Sequence, residues 1–152
     1  RPATLDDVDE LVRLRWVMME ALGVRDEPSW RPACARLLTA TLADGTTAAV
    51  VAEHPDAAGR LVACGVGRIL VRLPGPRTPD GRYGHIASMV TEPAWRRRGL
   101  ASGIVQGLLD WFAGQGVRKV DLHASPEGAP VYRALGFTEG EFPELGRLAI
   151  LG

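Results

Sequence analysis

The sequence predicts one mixed α/β domain over residues 1–152, a central sheet with helices on its faces. Two observations predict it. The apolar period changes along the chain, giving the order helix, helix, three strands, helix, strand, helix, strands. The 152 residues are 46% apolar and 24% charged, which suits one globular core and excludes a disordered tail or a fibrous repeat. A chain of this length buries about 68–70% of its unfolded surface and folds without a disulfide or metal staple. No internal repeat, low-complexity stretch or linker divides it.

The elements follow in order. Thr4 with Asp7 three residues on reads as a helix start, and Val8, Leu11, Val12, Met18, Met19 and Leu22 then recur at helical spacing, broken by Arg15 and stopped at Gly23. A second helix is expected from about Ser29 to Asp44, with Pro32 in its first turn, Leu37, Leu38 and Leu42 on its apolar side, and Gly45 at its end. Thr47 to Glu53 reads as a strand that turns at Pro55, Asp56 and Gly59 into a second strand, Leu61 to Leu73. Gly65 and Gly67 within the second strand point to a bend or a close backbone approach. Leu73 to Arg82, with three prolines and two glycines, is a loop, and Tyr83 to Thr91 is a third strand. A helix from Gly99 to Phe112 turns Leu100, Ile104, Leu108, Trp111 and Phe112 inward and ends at Gly114 and Gly116. Val117 to His123 is a strand, Ala129 to Leu135 a short helix closed by Gly136, and Phe137 onward with Leu145 to Leu151 a terminal antiparallel pair.

The 18 basic and 18 acidic residues cancel, which argues against a broadly basic, nucleic-acid-binding surface. No apolar run approaches the ~18 residues of a membrane span, and no signal peptide is legible. Cys34 and Cys64 fit no metal-ligand spacing and read as two thiols in a reducing cytoplasm.

The informative stretch lies between the third strand and the next helix. Pro93 breaks the strand, Arg96, Arg97 and Arg98 follow consecutively, and a helix opens at Gly99. The unpaired N–H groups of such a turn converge, with the positive helix end behind them, on a site fit for a pyrophosphate. Gly99 and Ala101 let an oxygen approach the backbone, so the amides from Arg97 to Ser102, Leu100 included, are the candidate donors. No lysine followed by Ser or Thr makes this a Walker loop, and no GxGxxG makes it a dinucleotide fingerprint. Gly103 and Gly107, one turn apart, leave a helix face without side chains for tight packing on a sheet or a ligand.

Arg96-x-x-Gly99-x-Ala101 resembles the (Arg/Gln)-x-x-Gly-x-(Gly/Ala) motif of the GNAT N-acetyltransferase superfamily. Leu122-His123-Ala124-Ser125 stands where that family has its fifth strand, and Pro130 to Phe137 resembles its following Leu-Tyr-x-x-x-Gly-Phe segment. The resemblance covers Tyr83 to Phe137 by motif and nearly the whole chain by element order. It implies a mostly antiparallel sheet with helices on both faces, splayed between the family's fourth and fifth strands around acetyl-CoA. Met89, Val90 and Thr91 would then pair with the pantetheine arm as a strand would, and Arg96 to Arg98 would screen the pyrophosphate.

The resemblance also implies roles for single residues. Tyr132 matches the family's general acid; a phenol of pKa near 10 can protonate a thiolate of pKa near ~8.5. Ser125, seven residues before it, stands where many relatives carry an asparagine, so its contact with the cofactor is shorter in reach. An attacking amine must lose a proton, yet the third strand lacks the glutamate common in relatives. His85 is the nearest substitute as general base; Glu20, or a water chain with no dedicated base, are alternatives. Glu92 reads as a solvated turn residue, and His123 as packed or on the surface. Trp16, Trp30 and the loop from Leu73 to Arg82 could line the acceptor pocket, whereas Trp95 and Trp111 read as structural.

The expected activity is acetyl transfer from acetyl-CoA to a primary amine, without a metal. The acceptor would be a small molecule or a peptide, with no nucleic-acid or membrane partner and a homodimer left open. The alternative is an acyl-CoA-binding or sensing module without catalysis.

Overall fold

Period-two alternation builds the centre of the molecule. The structure, a computed structural model, describes residues 1–140. Its sheet holds β1 (Thr47–Glu53), β2 (Leu61–Val71), β3 (Arg82–Thr91) and β4 (Val120–Leu122) in that spatial order. β1, β2 and β3 are antiparallel neighbours, and β4 joins β3 in parallel. The fold is therefore mixed and mostly antiparallel, as expected. The terminal antiparallel pair falls largely outside the described residues, and Phe137 to Gly140 form no strand.

Helices cover both faces. α1 (Val8–Ala21) and α2 (Trp30–Ala43) pack on one, α3 (Leu100–Gly114) and the short α4 (Ala129–Ala134) on the other. Alternation sorts β1 between them: Ala49 and Val51 join Leu11, Leu14 and Leu38, while Val50 and Ala52 face Ile104 and Leu108. Two apolar expectations fail at the helix surfaces. Leu22 and Leu37 are 66% and 48% exposed, because the sheet lies under Leu14 and Leu38 instead.

The close approach signalled by Gly65 and Gly67 belongs to α3. A β-carbon at Gly67 would sit 3.0 Å from the Phe112 ring, and one at Gly84 on β3 would sit 2.6 Å from it. At Gly65 the obstacles are Met89 and Ile104. Three strand glycines thus let the largest α3 side chains rest on bare backbone. Gly107 answers from the helix side, where a β-carbon would meet Val50 at 3.2 Å.

On the opposite face an ionic clamp fixes α1. Arg13 donates to Glu10 at 2.6 Å, to Glu92 at 2.7 Å and to the Leu61 carbonyl at 2.7 Å. Glu92 is therefore no solvated turn residue: its side chain is 13% exposed and also meets Arg60.

Candidate active site

The site begins where β3 loses a neighbour. β3 pairs with β4 only at Gly84, His85 and Ile86. From Ala87 to Thr91 its β4-facing side has no strand partner among the described residues. The same stretch is bulged, since Cys64 pairs with Val90 but Val66 pairs with Ala87, so that Ser88 and Met89 oppose Gly65 alone. Ser88 takes a φ of 52°, unusual for a residue with a side chain. Arg15 of α1 donates to its hydroxyl, and Cys64 Sγ lies 3.6 Å from its carbonyl oxygen. The bulge turns the strand away from β4 and opens the splay. Met89, Val90 and Thr91 form its wall.

The anion turn stands at the end of that wall. Pro93–Trp95 makes one 3-10 turn, Arg97 and Gly99 adopt φ of 62° and 78°, and α3 starts at Leu100 with no side-chain cap. The first bond of the helix runs from the Gly103 N–H to the Gly99 carbonyl at 3.2 Å, so the amides before it lack an intrahelical acceptor.

The three arginines divide their work. Arg96 donates to the Thr91 carbonyl at 3.2 Å and meets Glu127 at 3.7 Å, tying the end of β3 to the loop before α4. Arg98 stacks over Trp95 at 4.6 Å and donates to the Ala94 carbonyl. Arg97 has no partner among the described residues.

α4 closes the other side. The Ser125 hydroxyl accepts the Gly128 N–H at 3.2 Å and its carbonyl accepts from Ala129 at 2.9 Å, so Ser125 shapes the entry to the helix. Tyr132 packs edge-on against Phe137, with ring centroids 6.0 Å apart. Its residue is only 9% exposed, yet no group among the described residues bonds its hydroxyl. Thr47 Oγ1 is the one fully buried side-chain polar atom without a partner among the described residues, so the phenol oxygen reaches open space. Burial pushes its pKa above the ordinary value of 10.0.

His85 has a partner that its sequence context does not show. Parallel pairing sets it opposite Asp121, and His85 Nδ1 lies 2.6 Å from Asp121 Oδ1. A carboxylate only accepts, so Asp121 holds the proton on Nδ1, and whenever the ring is neutral Nε2 is its acceptor. Arg72 meets the other Asp121 oxygen at 3.3 Å while stacking over Tyr83 at 3.7 Å. His123 lies edge-on to His85 at 5.6 Å. His85, Asp121 and Tyr132 line one groove of about 1400 Å³ along β4 and α4. The amide turn is not part of that groove; it lies at the far end of the β3 wall. Glu20 is exposed at the end of α1. Trp16 and Trp30 both carry the Arg31 guanidinium, at 5.5 and 5.8 Å. Among the described residues no group of three or more His, Cys, Asp or Glu could hold a metal, and no helix is long and apolar enough to cross a membrane.

Residues 9–137 match the acetyltransferase (GNAT) family. The chain belongs to that family. Among curated proteins, glucosamine 6-phosphate N-acetyltransferase 1 of Oryza sativa subsp. japonica is 36% identical over 90 residues, which is 59% of this chain and 53% of the relative. A glucosamine 6-phosphate N-acetyltransferase of Trypanosoma brucei brucei is 35% identical over 65 residues, 42% of this chain and 44% of the relative. The chain spans about half the length of the curated relatives it matches. A crystal structure described as a predicted acetyltransferase with acetyl-CoA, from Clostridium acetobutylicum, superposes with a TM-score of 0.85 at 27% identity, covering 96% of this chain and 94% of that one. In this GNAT chain the residues that sequence reasoning missed are Asp121, Ser88 and Arg15. All three depend on strand register or on a helix crossing, which no local motif encodes.

Proposed function

We propose that this GNAT chain transfers an acetyl group from acetyl-CoA to a primary amine of a small molecule or peptide. One observation carries the reading. The unpartnered wall of β3 has an uncapped helix start at one end, while an open phenol and a carboxylate-held imidazole line the groove along β4 and α4. Acetyl-CoA would supply the thioester and the thiolate leaving group. The amides from Arg97 to Ser102, with the free Arg97 charge, suit its pyrophosphate, and Met89 to Thr91 offer backbone groups to its arm. The Thr91 carbonyl already accepts from Arg96, which takes one acceptor of the wall out of play for the arm.

Two proton transfers remain for side chains. An amine with a pKa near ~10.4 is neutral only about once in a thousand molecules at pH 7, so it must give up a proton. His85 Nε2 would accept it, a role supported by Asp121, which fixes the ring and would stabilise the cation that forms. Tyr132 holds its proton at neutral pH and donates it to the departing sulfur. Ser125 has its oxygen engaged at the entry to α4, which leaves only its hydrogen for the ligand. The His85–Asp121 pair supports catalysis over an acyl-CoA sensor, since a sensor has no use for a base. The two free cysteines suit a reducing compartment such as the cytoplasm.

The test is binding, then turnover. Acetyl-CoA should raise the melting temperature, and an amine panel led by glucosamine 6-phosphate should release free CoA thiol. Binding without release from any amine would favour the sensor; neither effect would remove the reading.

A further inference from the structure

The face of the sheet beneath α1 and α2 carries more positive charge than its own carboxylates neutralise. Arg68 pairs with His85 across β2 and β3, and His85 pairs with Asp121 across β3 and β4. Directly paired residues share a face, so the three side chains stand in one row, with β-carbons about 4.5–5.5 Å apart between antiparallel strands. Val66, two residues before Arg68, packs in the α1–α2 core and identifies that face. In this row Asp121 is already taken by His85 and Arg72. Arg68, half-buried, has no hydrogen bond or ion pair among the described residues. Arg15 reaches the same face from α1, where it donates to the Ser88 hydroxyl and meets no carboxylate among the described residues. A guanidinium carries five N–H donors. Arg68 uses none of them here and Arg15 spends one of its nitrogens on Ser88. A partly buried cation without a counter-ion is costly unless a ligand supplies the charge.

We infer that Arg68 and Arg15 anchor an anionic group on the acceptor, which is therefore a small amine bearing a phosphate or carboxylate. Arg68 stands one strand from the candidate base. Ser88, where Arg15 ends, lies three residues farther along β3, roughly 10 Å at strand rise. Anion and amine would thus fit within one small molecule. The inference rests on the acetyltransferase reading above.

The experiment compares matched acceptors: glucosamine 6-phosphate with glucosamine, and glycine with glycinamide. The native enzyme should prefer one charged member by about tenfold or more in kcat/KM, in line with one charge-assisted hydrogen bond. Which pair shows the preference distinguishes phosphate from carboxylate. Arg68→Gln and Arg15→Gln should each collapse that ratio, chiefly through KM of the charged acceptor, and Arg68→Lys should restore part of it. Melting temperatures establish that the variants fold. Transfer without charge preference, or variants that slow charged and neutral acceptors alike, overturns the anchor and leaves the acetyltransferase reading standing. No transfer to any of the four amines sinks both.

Discussion

Tyr132→Phe separates the chemistry of the phenol from its packing. The ring is 9% exposed and rests edge-on against Phe137, and phenylalanine keeps both features. The hydroxyl has no partner among the described residues, so its removal orphans no donor or acceptor there. The stability change should stay within about 0.5 kcal/mol. Catalysis is a different matter. A positioned general acid contributes about 10²–10⁴ in rate, and a thiolate of pKa near ~8.5 is a fair leaving group, which sets the expectation at about 10². That is about 2.7 kcal/mol of barrier, at 1.36 kcal/mol per tenfold. Steady-state CoA release should show kcat and kcat/KM falling together, with the KM for acetyl-CoA and the melting temperature unmoved. The pH profile gives a second reading. Burial raises the folded phenol above its unfolded pKa, so the stability it contributes is complete below the unfolded value and fades as pH rises through the folded one. The acid form therefore persists through neutral pH, and native turnover should show an alkaline limb that the variant lacks. A variant within threefold of native kcat would refute the assignment of Tyr132 as acid.

Three other expectations concern single contacts. Asp121→Asn should lower kcat by about tenfold or more without moving the KM for acetyl-CoA, and combining it with His85→Gln should add little, because the two side chains act as one unit; additive losses would separate them. Gly84→Ala drives a methyl to 2.6 Å from the Phe112 ring, which is 1% exposed, and should cost about 1–3 kcal/mol by denaturant unfolding. Phe112→Leu should recover part of that loss, and a native-like Gly84→Ala would mean that α3 has room to lift. Burial pushes the Cys64 thiol up to about 12, so a thiol reagent at neutral pH should label Cys34 slowly and Cys64 only after unfolding; prompt labelling of both would contradict the packing.

Local signals read well where one residue decides the conformation. β1 spans the stretch that its small and β-branched residues mark, and the turn before α3 uses Gly99 at positive φ as its motif requires. β4 is shorter than the expected strand, Val120–Leu122 against Val117 to His123, and at its C-terminal end the splay removes its partner beyond Leu122. The bulge gave no sign in β3 itself, where a serine rather than a glycine takes the left-handed conformation. Its trace lies across the ladder at Gly65, which faces two residues at once. Asp121 was hidden for a related reason. It stands 36 residues from His85, and only the parallel register of two strands joined through α3 brings them together. A single sequence shows side chains that repeat along an element far better than those that meet across one.

The bare backbone at Gly65, Gly67 and Gly84 divides the sheet into a side that cannot vary and a side that can. Any larger residue there moves α3, and with it the amides that would face the pyrophosphate. Arg68 and His85, on the opposite pleat, alternate with those glycines along the same strands and are only half-buried. A descendant of this chain could therefore exchange its acceptor by substitutions one position away from residues that must stay fixed. Redesign of selectivity should begin on that pleat, with the helix and its glycines left alone.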